Sequence, residues 1–110
     1  MQFAKIKLEY EPDYNVKASR FDQILNLPQG TPFGSAIANL NKGETIKMHN
    51  HDEFEIFVIL HGEALFSDGK IEKNVFKDDV IFLNPEHMHS FTNLKEDELS
   101  ILSIWWHCKQ

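Results

Sequence analysis

Arginine is almost missing from this chain of 110 residues, where Arg20 stands alone. Arginine is the side chain best shaped to clasp a phosphate through two parallel hydrogen bonds. With one arginine and a net charge of −6, nucleic acid and anionic membrane surfaces are not expected partners. Cysteine is as scarce. Cys108 is the sole one, so no disulfide can form within the chain, and a reducing, cytoplasmic setting is expected. No apolar run approaches the roughly 20 residues of a membrane span. Residues 1–7 lack the long apolar core of a secretory leader. Internal repeats, low-complexity tracts and any long amphipathic helical pattern are missing too.

What remains is a single-domain chain, 1–110, with 42% apolar residues, nine Phe and two Trp, enough for one core. Its periodicity is that of strands. Residues 3–10 alternate, with Ala4, Ile6, Leu8 and Tyr10 on one face. Residues 33–40, 45–51, 55–60, 63–67, 80–83, 89–93 and 99–106 read as further strands. Residues 19–27 fit a short strand or a helical turn. Asp68-Gly69 between apolar runs marks a hairpin. Residues 55–60 are apolar on both faces, so both faces are expected to be covered. Many short strands separated by turns predict an antiparallel sandwich or barrel.

The chemistry is concentrated in residues 43–62. His49 and His51 are two apart, so on a strand they share a face. Glu55 lies an even step further and returns to that face if residues 50–54 bend. Two imidazoles and a carboxylate suit first-row transition ions. Lys47 has the same parity and is expected at the pocket mouth; Ile46 and Met48 are expected to face out. His87 and His89 also share parity, and by parity alone either can add a third imidazole.

Gly43, His49, His51, Glu55 and Gly62 resemble the first motif of the cupin family at every fixed position: Gly, five residues, His-x-His, three or four residues, Glu, six residues, Gly. The second motif runs Gly, five residues, Pro-x-Gly, two residues, His, three residues, Asn. It places its His on His89 and its Asn on Asn93, but Asp78, Asn84 and Glu86 stand where its Gly, Pro and Gly belong. The resemblance implies a small double-sheet β-barrel of jelly-roll type. It also implies one divalent metal ion (Fe, Mn, Ni, Co or Zn) on His49, His51, Glu55 and His89.

Cupins include dioxygenases, oxalate-degrading enzymes, isomerases and lyases, as well as non-catalytic sensors. Phe57 and Phe91 share parity with Glu55 and His89, and one of Trp105 and Trp106 must face inward. Such a wall suits an apolar or aromatic small molecule. The expected activity is that of a dioxygenase-type oxidoreductase, with Glu55 doubling as a proton acceptor. Oxalate chemistry is not expected, because Arg20 would have to fold over the pocket mouth. Apolar residues on outward faces predict a homodimer.

Overall fold

Nine strands in two antiparallel sheets, with one short helical turn, form the fold of residues 1–107, the part of the chain that the computed structural model describes. Cys108 lies outside the described residues. In chain order the elements are β1 (Glu9–Glu11), β2 (Val16–Arg20), α1 (Phe21–Ile24), β3 (Phe33–Leu40), β4 (Phe54–His61), β5 (Glu63–Ser67), β6 (Glu72–Phe76), β7 (Val80–Leu83), β8 (Ser90–Thr92) and β9 (Leu99–Trp106). Six strands form one sheet in the order β1-β2-β3-β9-β4-β7, and β6-β5-β8 form the other. The arrangement is jelly-roll-like, two facing sheets rather than a closed barrel.

Alternation along each strand fills the space between the sheets. Glu55, Phe57 and Ile59 of β4 point in, as do Ala64 and Phe66 of β5. Phe57 meets Phe91 of the opposite sheet edge-on, with ring centroids 4.9 Å apart. Leu40, Ile59, Phe91, Leu99 and Ile101 are sealed from solvent around them. The Asp68-Gly69 hairpin forms as expected, and the Asp68 carboxylate accepts the backbone N–H groups of Lys70 and Ile71.

Two expected strands are much reduced. Residues 1–8 pair with no strand; only Glu9–Glu11 does so. Polar clasps hold the segment instead. The Gln2 amide makes two hydrogen bonds to the Asn26 backbone, and the Lys7 N–H donates to Ser19 Oγ. Ile6 stays half exposed, so its alternation reflects no burial in the single chain. Residues 45–51 are joined to residues 89–92 only by isolated bridges, Thr45 to Thr92 and His49 to His89.

Between those bridges the chain carries a bulge. Ile46 hydrogen-bonds to Phe91 and His49 to His89, so three steps on one side face two on the other. One extra residue reverses parity. Ile46 and His49 therefore both turn inward, and Ile46 is buried. Lys47 is exposed and offers the site only backbone atoms. The parity argument for an inward Lys47 and an outward Ile46 fails for this reason.

Asp78 and Glu86 occupy the second motif's two glycine positions, and both have positive φ, 76° and 67°. The backbone keeps the left-handed turns of the motif while exposed non-glycine residues carry the strain, of about 1–2 kcal/mol each. Asp78→Gly and Glu86→Gly are each expected to stabilise the protein by about 0.5–1 kcal/mol, after the entropic cost of glycine. Urea unfolding checks this; a loss of stability in both would contradict it.

Candidate metal centre

Three elements deliver the donor groups. The bulged segment before β4 supplies His49 and His51, β4 supplies Glu55, and the residue before β8 supplies His89. The turn between β7 and β8 ties these pieces together, because the Glu86 N–H donates to the His51 carbonyl. The ligand-type nitrogens of His49, His51 and His89 all lie within 4.8 Å of one another. Glu55 Oε1 is 2.6 Å from His51 Nε2 and 3.5 Å from His89 Nε2.

Hydrogen bonds fix the imidazole tautomers. His49 Nδ1 lies 2.7 Å from the Lys47 carbonyl, and His89 Nδ1 lies 2.9 Å from the His87 carbonyl. A carbonyl only accepts, so each Nδ1 carries the proton and each Nε2 keeps its lone pair. His89 Nε2 is buried with no hydrogen-bond partner. A buried, unpartnered lone pair facing two more imidazoles is the arrangement a divalent ion satisfies, and backbone carbonyls on the far nitrogens are the usual support for such ligands. The residues fit a transition metal.

The charge states agree. Burial pushes His89 down to about 4, with neighbouring histidines adding to the effect. Burial also lowers His49. Both are neutral at pH 7, as metal ligands must be. Burial, aided by the nearby Glu53 carboxylate, pushes Glu55 up to about 8. Without a cation, Glu55 is therefore protonated at neutral pH.

The cluster borders a cavity of about 380 Å³. His49, His51 and Glu55 line it, and His89 stands behind them. Phe57 and, of the two tryptophans, Trp105 are on the wall. Trp106 is on the other face of the sheet, stacked on Phe54 with centroids 6.0 Å apart. Phe91 is core, packed between Phe57 and Phe66, and does not reach the cavity. His87 points away and pairs with Asp68 at 3.2 Å. Asn93 is buried and knots the loop before β9, donating to the carbonyls of Leu40 and Asp97.

The sequence reading missed the opposite wall. Glu11, Tyr14, Val16, Ala18 and Arg20 of the β1–β2 arm line it. The Tyr14 ring lies 4.6 Å from that of His49, and its carbonyl accepts the Lys47 N–H. Burial raises the Tyr14 pKa, so its hydroxyl stays protonated. Val16, Ala18 and Arg20 do alternate, a signal hidden by the ambiguity over residues 19–27. Arg20 on the cavity wall also removes the ground for setting oxalate-type acids aside.

Residues 36–105 match the cupin domain family. The chain is a cupin. An oxalate-binding protein of Thermotoga maritima is 33% identical over 66 residues, which span 59% of this cupin and 54% of that protein. The chain thus matches about half the length of this relative. Among solved structures, a cupin 2 conserved barrel domain protein of Salinispora arenicola superposes with a TM-score of 0.82 at 22% identity, covering 98% of this chain and 90% of that one. A protein described as a "predicted oxalate decarboxylase" from Thermotoga maritima gives 0.81 at 23% identity, covering 97% and 100%. At these identities the two structures bear on the fold alone. Cupins commonly bind a metal ion, and three clustered histidines are in place for one here. No described helix is long and apolar enough to cross a membrane.

Proposed function

We propose that this cupin holds one divalent first-row ion on His49, His51, Glu55 and His89 and acts on a small apolar or aromatic molecule as a dioxygenase-type oxidoreductase. The unpartnered His89 Nε2 beside two further imidazoles at the edge of an open cavity carries the reading. Four protein ligands leave one or two positions open on a five- or six-coordinate ion. When bound, the ion would polarise the substrate's oxygen donors and present them to dioxygen.

The protein's own groups prepare the substrate. Phe57, Ile46, Ile101 and the small Ala36 and Ala38 form an apolar bed for it. Glu55 is the group placed to take up a substrate proton, lying 2.6 Å from His51 in a buried setting that favours its neutral form. Oxygen uptake by metal-loaded protein across a panel of phenols, diketones and organic acids tests the activity. Uptake above the metal-only blank supports it. Ligand binding without uptake would instead support a non-catalytic ligand-binding cupin, the reading favoured by the name of the Thermotoga relative.

Metal loading has a proton signature. Glu55 must ionise to coordinate, while His49 and His89 are already neutral. At pH 7, ion binding is expected to release about one proton, with apparent affinity rising about tenfold per pH unit up to about 8 and levelling above. Calorimetry in buffers of different ionisation enthalpy reads this directly. Affinity independent of pH between 6.5 and 8 would show that Glu55 is not a ligand.

A further inference from the structure

His51 is the one candidate imidazole ligand whose far nitrogen has no backbone partner. His49 Nδ1 and His89 Nδ1 each reach the carbonyl two residues earlier, at 2.7 Å and 2.9 Å. The carbonyl in that position for His51 is that of His49, and it accepts the His89 N–H at 2.9 Å instead. His51 Nδ1 is buried and makes no hydrogen bond. With Nε2 turned to an ion, a neutral ring carries its proton on Nδ1, where a buried donor needs an acceptor. Glu53 stands in the bend between His51 and β4 and borders the cavity. Its Oε1 lies 3.6 Å from His51 Nδ1, and its Oε2 lies 3.7 Å from His107 Nε2. Both contacts are longer than a hydrogen bond. Among the described residues no hydrogen bond holds either oxygen, so the carboxylate is free to advance. A shift of about 0.8 Å brings Oε1 to about 2.8 Å from Nδ1, the length of a charge-assisted bond.

We propose that Glu53 is the positioning residue for His51: its carboxylate accepts the hydrogen bond from Nδ1 and holds the ring with Nε2 toward the ion. This rests on the metal-centre reading above. An ionised acceptor polarises an imidazole more than a carbonyl does. His51 is thereby the strongest donor of the three, although it is the most exposed to the cavity mouth after His49. The two carbonyl-backed rings are fixed by the backbone itself; His51 depends on a side chain. Glu53 falls among the residues between His51 and Glu55 that the first motif leaves unspecified. Its support for the ligand is therefore a property of this chain rather than of the motif.

The test pairs Co(II) affinity with proton NMR of the Co(II)-loaded protein. Affinity is measured by chelator competition at about pH 8.5, above the value of about 8 to which Glu55 is pushed. There the repulsion between Glu53 and Glu55 changes the affinity less than about twofold. Glu53→Ala is expected to bind cobalt about 10- to 100-fold more weakly. Glu53→Gln, which keeps a neutral acceptor, is expected to fall between Ala and wild type. In the spectrum, each ligand Nδ1–H gives its own strongly shifted, exchangeable signal. Three are expected in the wild type; in Glu53→Ala that of His51 is expected to be lost to solvent exchange while the other two remain. A Glu53→Ala affinity within about twofold of wild type, three signals that persist in that variant, or only two in cobalt-loaded wild type would overturn the inference alone. A wild-type protein that binds no cobalt overturns the metal-centre reading, and the role of Glu53 with it.

Discussion

Replacing His51 with alanine is expected to lower Co(II) affinity about 100- to 1,000-fold. Structural sites of four ligands bind with about 10–16 kcal/mol, so one ligand is worth roughly 3–4 kcal/mol. His51 is suited to the test because it is only partly buried and precedes β4, so its loss leaves the core intact. Its Nε2 also meets Glu55, and removing it frees that carboxyl from its partner. His87→Ala is the matched control. His87 shares parity with His89 in the sequence, yet it contacts Asp68 on the surface, and its removal is expected to leave cobalt affinity unchanged. Competition with a chromophoric chelator measures both. Equal losses in the two variants would contradict the assignment of His89 over His87.

The second large effect concerns assembly. The outer face of the six-stranded sheet is apolar across four strands. Phe33 pairs with Trp106, and Trp106 with Phe54. Ile104 pairs with Ile56, and Ile56 with Phe82. Ile37, Leu102, Val58 and Val80 continue the next rung. Val80 is 65% exposed, Phe82 54% and Phe33 48% in the single chain. A contiguous patch of this kind marks an interface, and two-fold pairing lets one such face cover its copy. Phe3 and Ile6 of the unpaired N-terminal segment remain exposed as well and can add to it.

We therefore expect a homodimer at micromolar concentration. Val80→Asp is expected to weaken it by about 100-fold or more, because an unpaired carboxylate would be buried at the contact. Val80 is exposed in the protomer, so the variant keeps its fold and its metal affinity. Light scattering that gives a monomer mass for the wild type would reject the dimer. A Val80→Asp protein that stays dimeric would place the contact elsewhere.

The cluster of candidate ligands was legible in the sequence because metal chemistry needs particular residue types at fixed spacings. His49, His51 and Glu55 were named from spacing and His89 from its place in the second cupin motif, and the structure brings the four side chains together. Several strands bounded by turn signals were equally clear: residues 33–40, 63–67, 80–83 and 99–106 match β3, β5, β7 and β9.

Parity failed where the chain is irregular. The bulge between Ile46 and His49 cannot be read from residues 45–51, because it arises from pairing with residues 89–92. It turned Lys47 out and Ile46 in. Phe91 kept its expected inward direction but packs deep in the core, since parity gives a side and not a depth. The β1–β2 wall, with Tyr14 and Arg20, depends on the arm folding across β3, a long-range contact with no local signature.

Anomalous diffraction at the cobalt edge from crystals of the Co(II)-loaded protein tests the central claim most directly. The account predicts one strong peak per chain. It should lie about 2.0–2.3 Å from Nε2 of His49, His51 and His89 and from a Glu55 carboxylate oxygen. A peak bound by other residues, or none at full cobalt saturation, would contradict it.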